Sequence, residues 1–253
     1  MLPKQLGAIS VSIAVEAKNL VKDFGSVRAL DGLSFKIEKG EIFGLIGLNG
    51  AGKTTALRIT STLLLPTSGT LNVFGHDVVD DASEIRHLIS YLPEEAGAYK
   101  NLSGLEYLKF MASFRAKDKA AMKDLVDVAS EISGLGERLK DKAKGYSKGM
   151  KRRLLVARAL MTKPKLAILD EPNSGLDVLH SVHVRTTIKR YTKEYNVSVL
   201  LSSHNMLDVE YLCDRVALIN KGRTVAEGSP AELKTRYKAV NLEEVFGEVV
   251  GFA

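Results

Sequence analysis

Cysteine and long apolar runs are scarce in this sequence of 253 residues. Its single cysteine, Cys213, excludes a disulfide within the chain and fits a reducing compartment such as the cytosol. No apolar run approaches the roughly 18 residues of a membrane-spanning helix, so we expect no membrane span. Residues 6–17 are mildly apolar but lack a cationic start, and we interpret them as the approach to a strand rather than as a signal peptide.

Basic residues outnumber acidic ones and give a net charge of +6. Such a charge could indicate a nucleic acid or an anionic membrane surface as a partner. The densest basic stretch is residues 140–153, and aromatic side chains do not interleave with it as single-stranded nucleic acid binding favours. The alternative for this basic stretch is a solvated helix face. We expect no nucleic acid partner. The length allows a sizeable core, as one domain or a domain with two lobes.

The most informative stretch is a glycine-rich loop between an apolar run, residues 42–46, and a helix-like segment, residues 56–65. It fits the pattern G-x-x-x-x-G-K-[ST] in strand, loop, helix order. Glycines allow the backbone to turn its N–H groups inward around a polyphosphate, and the helix dipole favours the same phosphates. An ordinary glycine turn is the alternative. The predicted phosphate-binding residues are Gly47, Leu48, Asn49, Gly50, Ala51, Gly52, Lys53, Thr54 and Thr55.

Two side chains of this loop have predicted chemical roles. Lys53 can reach the β- and γ-phosphates as a point charge, and the Thr54 hydroxyl can bind Mg²⁺. Phe24 precedes the loop by some twenty residues and could stack on a base. A packed aromatic at a strand end is the alternative for Phe24.

Two adjacent carboxylates follow a second apolar run, residues 165–169, which is typical of a strand buried on both faces. Ligands bind at the carboxyl ends of such strands in α/β sheets. Asp170 is therefore predicted to hold Mg²⁺, and Glu171 to orient and deprotonate an attacking water. A third apolar run, residues 197–201, leads to His204, which could contact a γ-phosphate. Solvated acids and a structural histidine are the alternatives.

The periodicity predicts an antiparallel sheet first, then strands alternating with helices, with a helical insertion over 96–160. Ser147 and Gly149 open a strongly patterned helix in that insertion, although Ser147 could be merely its N-cap. His180 and His183 lie three apart on a predicted helix without a third ligand nearby, so no metal site is expected there. The main predicted segments are strands at 13–20, 71–74, 89–95 and 197–201, helices at 82–89 and 178–195, and a hairpin over 215–226. Capping boxes at helix starts are predicted for Ser103 with Glu106 and for Ser229 with Glu232.

Taken together, these motifs resemble the ATP-binding subunits of ABC transporters over residues 15–234. The resemblance implies a P-loop NTPase core of mixed sheet flanked by helices, with an N-terminal antiparallel β subdomain and an inserted α-helical subdomain. It implies one ABC ATPase domain over 1–253, with a core of 1–93 and 161–228, a helical subdomain of 94–160 and a helical tail of 229–253. The matching segments are 47–54 for Walker A, 91–94 for the Q-loop, 147–150 for the signature, 166–171 for Walker B, 174–177 for the D-loop and His204 for the switch histidine.

The sequence departs from the family pattern at several positions. The common signature is L-S-G-G-Q, and here Tyr146, Lys148 and Met150 replace three of its five residues. Glu94 stands where the Q-loop has glutamine, and Leu48 stands where proline is common. With these departures, the chain resembles one branch of the family, the drug, antibiotic and sodium exporters, whose membrane-spanning permease is a separate polypeptide.

The resemblance also implies a mechanism. Two such subunits, as a homodimer or with a similar subunit, sandwich two ATPs between Walker A of one and the signature of the other. Ser147, Lys148 and Gly149 would then act in trans, with Asp177 in the D-loop and Glu94 assisting at Mg²⁺. We expect ATP hydrolysis coupled to transport, at the cytoplasmic face of the membrane. A soluble ABC ATPase acting in translation or DNA repair is the alternative.

Overall fold

The computed structural model describes residues 13–251, which form two sheets and a set of surrounding helices. The strands are β1 (Ile13–Phe24), β2 (Val27–Glu38), β3 (Ile42–Ile46), β4 (Ser68–Val73), β5 (His76–Asp77), β6 (Ile89–Leu92), β7 (Leu166–Asp170), β8 (Ser198–Ser203), β9 (Arg215–Asn220) and β10 (Arg223–Gly228). The α-helices are α1 (Lys53–Thr60), α2 (Ala82–Leu88), α3 (Gly104–Ser113), α4 (Lys119–Ser133), α5 (Lys148–Leu160), α6 (Val178–Tyr195), α7 (Met206–Leu212), α8 (Pro230–Tyr237) and α9 (Leu242–Val250).

The larger sheet has six strands in the order β10-β9-β3-β8-β7-β6, and all neighbours are parallel except β10 with β9. Its central strands β3, β7 and β8 are buried at every residue and mainly apolar, as expected for strands with both faces covered. In β3, Phe43 and Leu45 face one hydrophobic cluster, whereas Ile42 and Ile46 face the other. Parallel pairing places the carboxyl ends of β3, β7 and β8 at one edge of the sheet, where the predicted site residues follow.

The smaller sheet is antiparallel, with the order β2-β1-β4-β5. Its apolar side chains, such as Leu20, Leu33 and Leu71, are fully buried and join those of α1 and β3 in one cluster. The predicted N-terminal antiparallel subdomain is therefore confirmed. Its first strand runs four residues beyond the predicted end at Leu20, because register shifts between Ala17 and Val21 let pairing with β2 continue.

The helical insertion consists of α3, α4 and α5, together with two short 3₁₀ segments at Gly136–Lys140 and Ala143–Gly145. Ser103 and Glu106 form the predicted capping box at the start of α3. Gly134 ends α4 with a φ of +56°, a conformation that glycine adopts without strain. α5 leads from this insertion back towards β7, so the signature segment lies at the N-terminus of a helix that contacts the main sheet.

Some predicted boundaries differ from the structure for local reasons. α1 ends at Thr60 rather than at residue 65, because Thr62 turns to a φ of +61° and donates its N–H to the Ile59 carbonyl. β6 ends before Pro93, which has no N–H to donate to a neighbouring strand. Helix α7, which the sequence did not predict, begins at the cap residue Asn205. Within residues 13–251, no helix is long and apolar enough to cross a membrane.

Residues 6–12 of the predicted N-terminal approach lie outside the described part of the chain. At the other end, Ser229 and Glu232 form the predicted capping box of α8. Helix α9 then buries Leu242 and Val245 against the core. The C-terminal helices are therefore packed against α7 and β10 of the larger sheet's half of the molecule.

Candidate nucleotide site

The glycine loop follows β3 and closes around its own lysine. Lys53 Nζ donates to the carbonyl of Gly47 at 2.7 Å and to that of Leu48 at 3.2 Å. Gly52 is the N-cap of α1 with a φ of +104°, and an added Cβ there would lie 2.7 Å from the Ala29 carbonyl. An added Cβ at Gly47 would lie 2.3 Å from the Ile219 carbonyl, so both positions require glycine.

The loop borders an open cleft of about 350 Å³. Residues of the glycine loop and of the N-terminus of α1 line this cleft together with the acidic residues Glu94 and Glu171. This combination is what a polyphosphate with a divalent cation requires. The described lining is Ala29, Asn49, Gly50, Ala51, Gly52, Lys53, Thr54, Thr55, Glu94 and Glu171.

The predicted carboxylates Asp170 and Glu171 lie beside this cleft at the end of β7, and one serine hydroxyl joins them. Ser202, fully buried at the end of β8, donates from Oγ to Asp170 Oδ1 at 2.6 Å. The same oxygen accepts the N–H of Glu171 at 2.9 Å. One side chain thereby gives hydrogen-bond partners to the buried Glu171 N–H and to the buried Asp170 carboxylate. Ser202 thus fixes the positions of both acids relative to the neighbouring strand.

Glu171 occupies a backbone conformation that few non-glycine residues adopt. Its φ is +47°, and its side chain is only 7% exposed. One carboxylate oxygen, Oε1, lies 2.9 Å from His204 Nδ1 and 3.7 Å from Lys53 Nζ. The structure therefore brings together the three predicted catalytic residues. Backbone strain of this kind persists where the surroundings over-determine the conformation, as they do at functional sites.

Burial lowers the pKa of Lys53, while the charges of Glu171, Asp170 and Glu94 oppose that shift. Its nearest neighbours are two carbonyls of its own loop and one carboxylate oxygen of Glu171, one for each N–H of the ammonium. A desolvated cation with acidic neighbours is well placed to bind an entering phosphate. The surroundings of Lys53 are therefore compatible with its predicted role in binding phosphate.

The predicted Mg²⁺ ligands are hard oxygen donors in suitable positions. Thr54 Oγ1 lies 3.3 Å from Asp170 Oδ1, and the Tyr91 hydroxyl lies 3.5 Å from Asp170 Oδ2. Glu94 is exposed at the edge of the cleft. Among the described residues, no group of three or more His, Cys, Asp or Glu side chains forms a metal site by itself. This fits Mg²⁺, which usually takes one or two carboxylates, waters and substrate phosphates.

The signature segment begins helix α5 away from this cleft. Ser147 is exposed and caps the helix by accepting the N–H of Met150 at 3.1 Å. Lys148 is also exposed, and its side chain lies over Gly175 of the D-loop. Gly149 is buried under the ring of His180, where an added Cβ would lie 2.1 Å from the ring. The N-cap alternative for Ser147 is therefore correct as local structure, and its exposure leaves it available to another molecule.

The two remaining predicted residues lie at exposed positions. Asp177 caps α6 by accepting the His180 N–H at 2.9 Å, with its side chain 67% exposed. Phe24 lies at the β1–β2 turn and is 49% exposed, with the Lys22 ammonium 5.2 Å from its ring centre. Phe24 is not part of the described cleft lining, so base stacking by Phe24 stays a prediction.

Two residues that organise the site were not predicted. Ser202 directly follows an apolar run, and its role depends on a neighbouring strand that a single sequence does not identify. Arg152 lies in the basic stretch interpreted as a solvated face, yet it is 6% exposed and bonds to both acidic loops. No sequence signal separates Arg152 from the exposed Lys148 beside it.

Comparison with known proteins agrees with this geometry. The family described as ABC transporter matches residues 30–174. The bacitracin transport ATP-binding protein BcrA of Bacillus licheniformis is 37% identical over 226 residues, covering 89% of this chain and 73% of that protein. The daunorubicin/doxorubicin resistance ATP-binding protein DrrA of Streptomyces peucetius is 37% identical over 222 residues, covering 88% of this chain and 67% of that protein.

A solved structure of an ATP-binding subunit of an ABC transporter has the same fold. It superposes with a TM-score of 0.82 at 27% identity and covers 94% of this chain and 99% of that one. The predicted P-loop fold and the resemblance to drug and antibiotic exporters are confirmed, and the translation or DNA repair alternative is not favoured. The chain belongs to the ABC transporter family, as one of its ATP-binding and ATP-hydrolysing subunits.

Proposed function

We propose that this chain powers an exporter by closing on ATP as a head-to-tail dimer and opening after hydrolysis. The observation that carries the proposal is the position of Glu171, between His204 and Lys53 at the edge of the phosphate cleft. A carboxylate held there can accept a proton from a water that attacks the γ-phosphate. His204 would contact the γ-phosphate while orienting that carboxylate.

ATP and Mg²⁺ fit the groups that line the cleft. Bound Mg²⁺ would neutralise charge on the β- and γ-phosphates. Thr54 and Asp170 would hold the ion, with Glu94 assisting from the Q-loop. Lys53 would exchange its own loop carbonyls for phosphate oxygens, and the loop amides would bind the rest of the polyphosphate. Phe24 would stack on the base.

The partner in the dimer is a second copy of this chain or a similar subunit. Ser147 and Lys148 are exposed at the N-terminus of α5, so the helix dipole is free to face a phosphate bound to another molecule. Beside the D-loop residue Asp177, Val178 and Leu179 are 76% and 82% exposed. Dimer closure would bury these apolar side chains.

A separate membrane-spanning permease would complete the transporter, with this chain bound peripherally at its cytoplasmic face. The helical insertion offers a surface for it. Tyr99, Phe110 and Phe114 form a chain of edge-to-face aromatic contacts, and Phe114 is 67% exposed. Beside Phe114 lies a groove of about 460 Å³ whose lining includes Arg86 and Arg115. Exposed aromatic clusters of this kind mark protein interaction sites.

The Glu171→Gln variant tests this function. It removes the base but keeps the shape, so it should bind ATP and accumulate as a closed dimer in size-exclusion chromatography. Glu137→Gln, on the exposed 3₁₀ segment, is the matched control and should stay like wild type. A Glu171→Gln protein that remains monomeric with ATP and Mg²⁺, or that hydrolyses ATP at the wild-type rate, contradicts the proposal.

A further inference from the structure

Arg152 is a buried cation that the roles assigned above do not use. It lies on α5, three residues after Gly149, and only 6% of it is exposed. Burial lowers the pKa of its guanidinium, and the charges of Glu94, Asp170 and Glu171 oppose that shift. Burying a charge is costly unless it is well bonded, so the contacts of this side chain must compensate for its lost hydration.

All five N–H donors of the guanidinium have carbonyl partners in two loops of the site. Nε donates to the Pro172 carbonyl at 3.0 Å, and Nη2 donates to the carbonyls of Asp170, at 2.7 Å, and Glu171. Nη1 donates to the carbonyls of Glu94 at 3.1 Å and Pro93 at 3.5 Å. One side chain thus connects the Walker B loop with the Q-loop.

The bond to Glu171 has a particular consequence, because that residue has the positive φ described above. Its N–H is held by Ser202 on one side, and its carbonyl is held by Arg152 on the other. A non-glycine residue leaves such a conformation unless its peptide groups are fixed. Relaxation of this backbone would rotate the carboxylate away from His204 and from the phosphate cleft.

We propose that Arg152 is a positioning residue for hydrolysis, which holds the Glu171 carboxylate of its own subunit in the geometry that deprotonates water. Arg152 does not contact the nucleotide cleft, whose described lining leaves it out. Its loss should therefore lower the turnover rate and leave ATP binding nearly intact. This inference rests on the proposed function only in taking Glu171 as the base.

Arg152→Lys keeps the charge, but a single ammonium cannot reach both loops, and Arg152→Gln removes the charge as well. For both variants we expect kcat to fall by about tenfold or more, while KM for ATP changes by less than about threefold. Arg153→Lys is the matched control, because within residues 13–251 the neighbouring guanidinium bonds only to the Ser133 and Gly134 carbonyls of the helical insertion. This control should keep its kcat within about twofold.

Mixed dimers identify which subunit needs the arginine. One subunit carries Lys53→Ala, so ATP is hydrolysed only at the intact loop of the other subunit. Arg152→Lys should abolish most turnover when it lies in the subunit with the intact loop. In the Lys53→Ala subunit it should change turnover by less than about twofold. Equal losses in both placements, or an equal loss in Arg153→Lys, would show a general structural role and overturn the proposal.

The remaining outcomes distinguish a failure of the Arg152 proposal from a failure of the proposed function. A wild-type protein that hydrolyses no ATP, or forms no mixed dimers, contradicts the proposed function first. Normal hydrolysis in wild type with unchanged kcat in both Arg152 variants overturns the positioning role alone. Failure of both variants to fold, judged by circular dichroism against Arg153→Lys, would also overturn it, because the arginine would then serve stability.

Discussion

Ser202→Ala removes one hydroxyl that Asp170 and Glu171 share. The oxygen donates to Asp170 at 2.6 Å and accepts the Glu171 N–H at 2.9 Å, and the residue is fully buried. A hydrogen bond to a charged group contributes about 1.5–3 kcal/mol, and a buried N–H left without a partner costs about 1–3 kcal/mol. These two effects overlap, so we expect unfolding free energy to fall by about 2–4 kcal/mol.

Ser198→Ala is the matched control at the other end of the same strand. Ser198 is also buried, but its Oγ accepts the Gly40 N–H, at 2.9 Å, far along the strand from the acids. We expect this variant to lose about 1–2 kcal/mol of stability and to keep its turnover rate. Denaturant unfolding followed by circular dichroism measures both losses on the same scale.

The turnover rate is expected to distinguish the Ser202→Ala variant from the Ser198→Ala variant. In Ser202→Ala, Glu171 loses the bond on its N–H while holding a strained φ, so we expect kcat to fall by about tenfold to a hundredfold at saturating ATP. Phosphate release at a temperature where both variants remain folded is the assay. Equal turnover in Ser202→Ala and Ser198→Ala would refute the reasoning that this hydroxyl positions the acids.

Two further predictions concern Lys53 and Cys213. Lys53→Ala should weaken ATP binding by about tenfold or more in a fluorescent-nucleotide titration, because the loop loses its cation; unchanged affinity would count against the assigned loop. Cys213 is buried, and burial raises the pKa of its thiol, so iodoacetamide should modify it only in urea. Rapid alkylation of the folded protein, measured by mass spectrometry, would contradict that placement.

The sequence predicted those features that depend on local pattern. The glycine loop, the two acids after an apolar run and the serine caps at Ser103 and Ser229 are short-range signals, and the structure has each in its predicted place. Helix α6 has the predicted bounds, because Asp177 caps it and Asn196 ends it with a φ of +51°.

Features that depend on tertiary contacts were not predictable in this way. Ser202 and Arg152 act on residues that are 18 to 59 positions away in sequence, through bonds that only the sheet order and the helix packing create. His180 covers Gly149 because α6 packs against α5. In a single sequence, each of these residues has the pattern of an ordinary strand or helix residue.

The charges around the cleft explain how an acid at position 94 is compatible with phosphate binding. Glu94, Asp170 and Glu171 all act on the pKa values of Lys53 and Arg152, so three carboxylates surround two buried cations. Taken as ionised, these five groups sum to one negative charge, which disfavours a bare polyphosphate and favours a divalent cation beside it. A glutamine at position 94 would make the same set neutral. We therefore expect the acid to strengthen the dependence of nucleotide binding on Mg²⁺, while the nearby Arg152 guanidinium offsets part of the added negative charge.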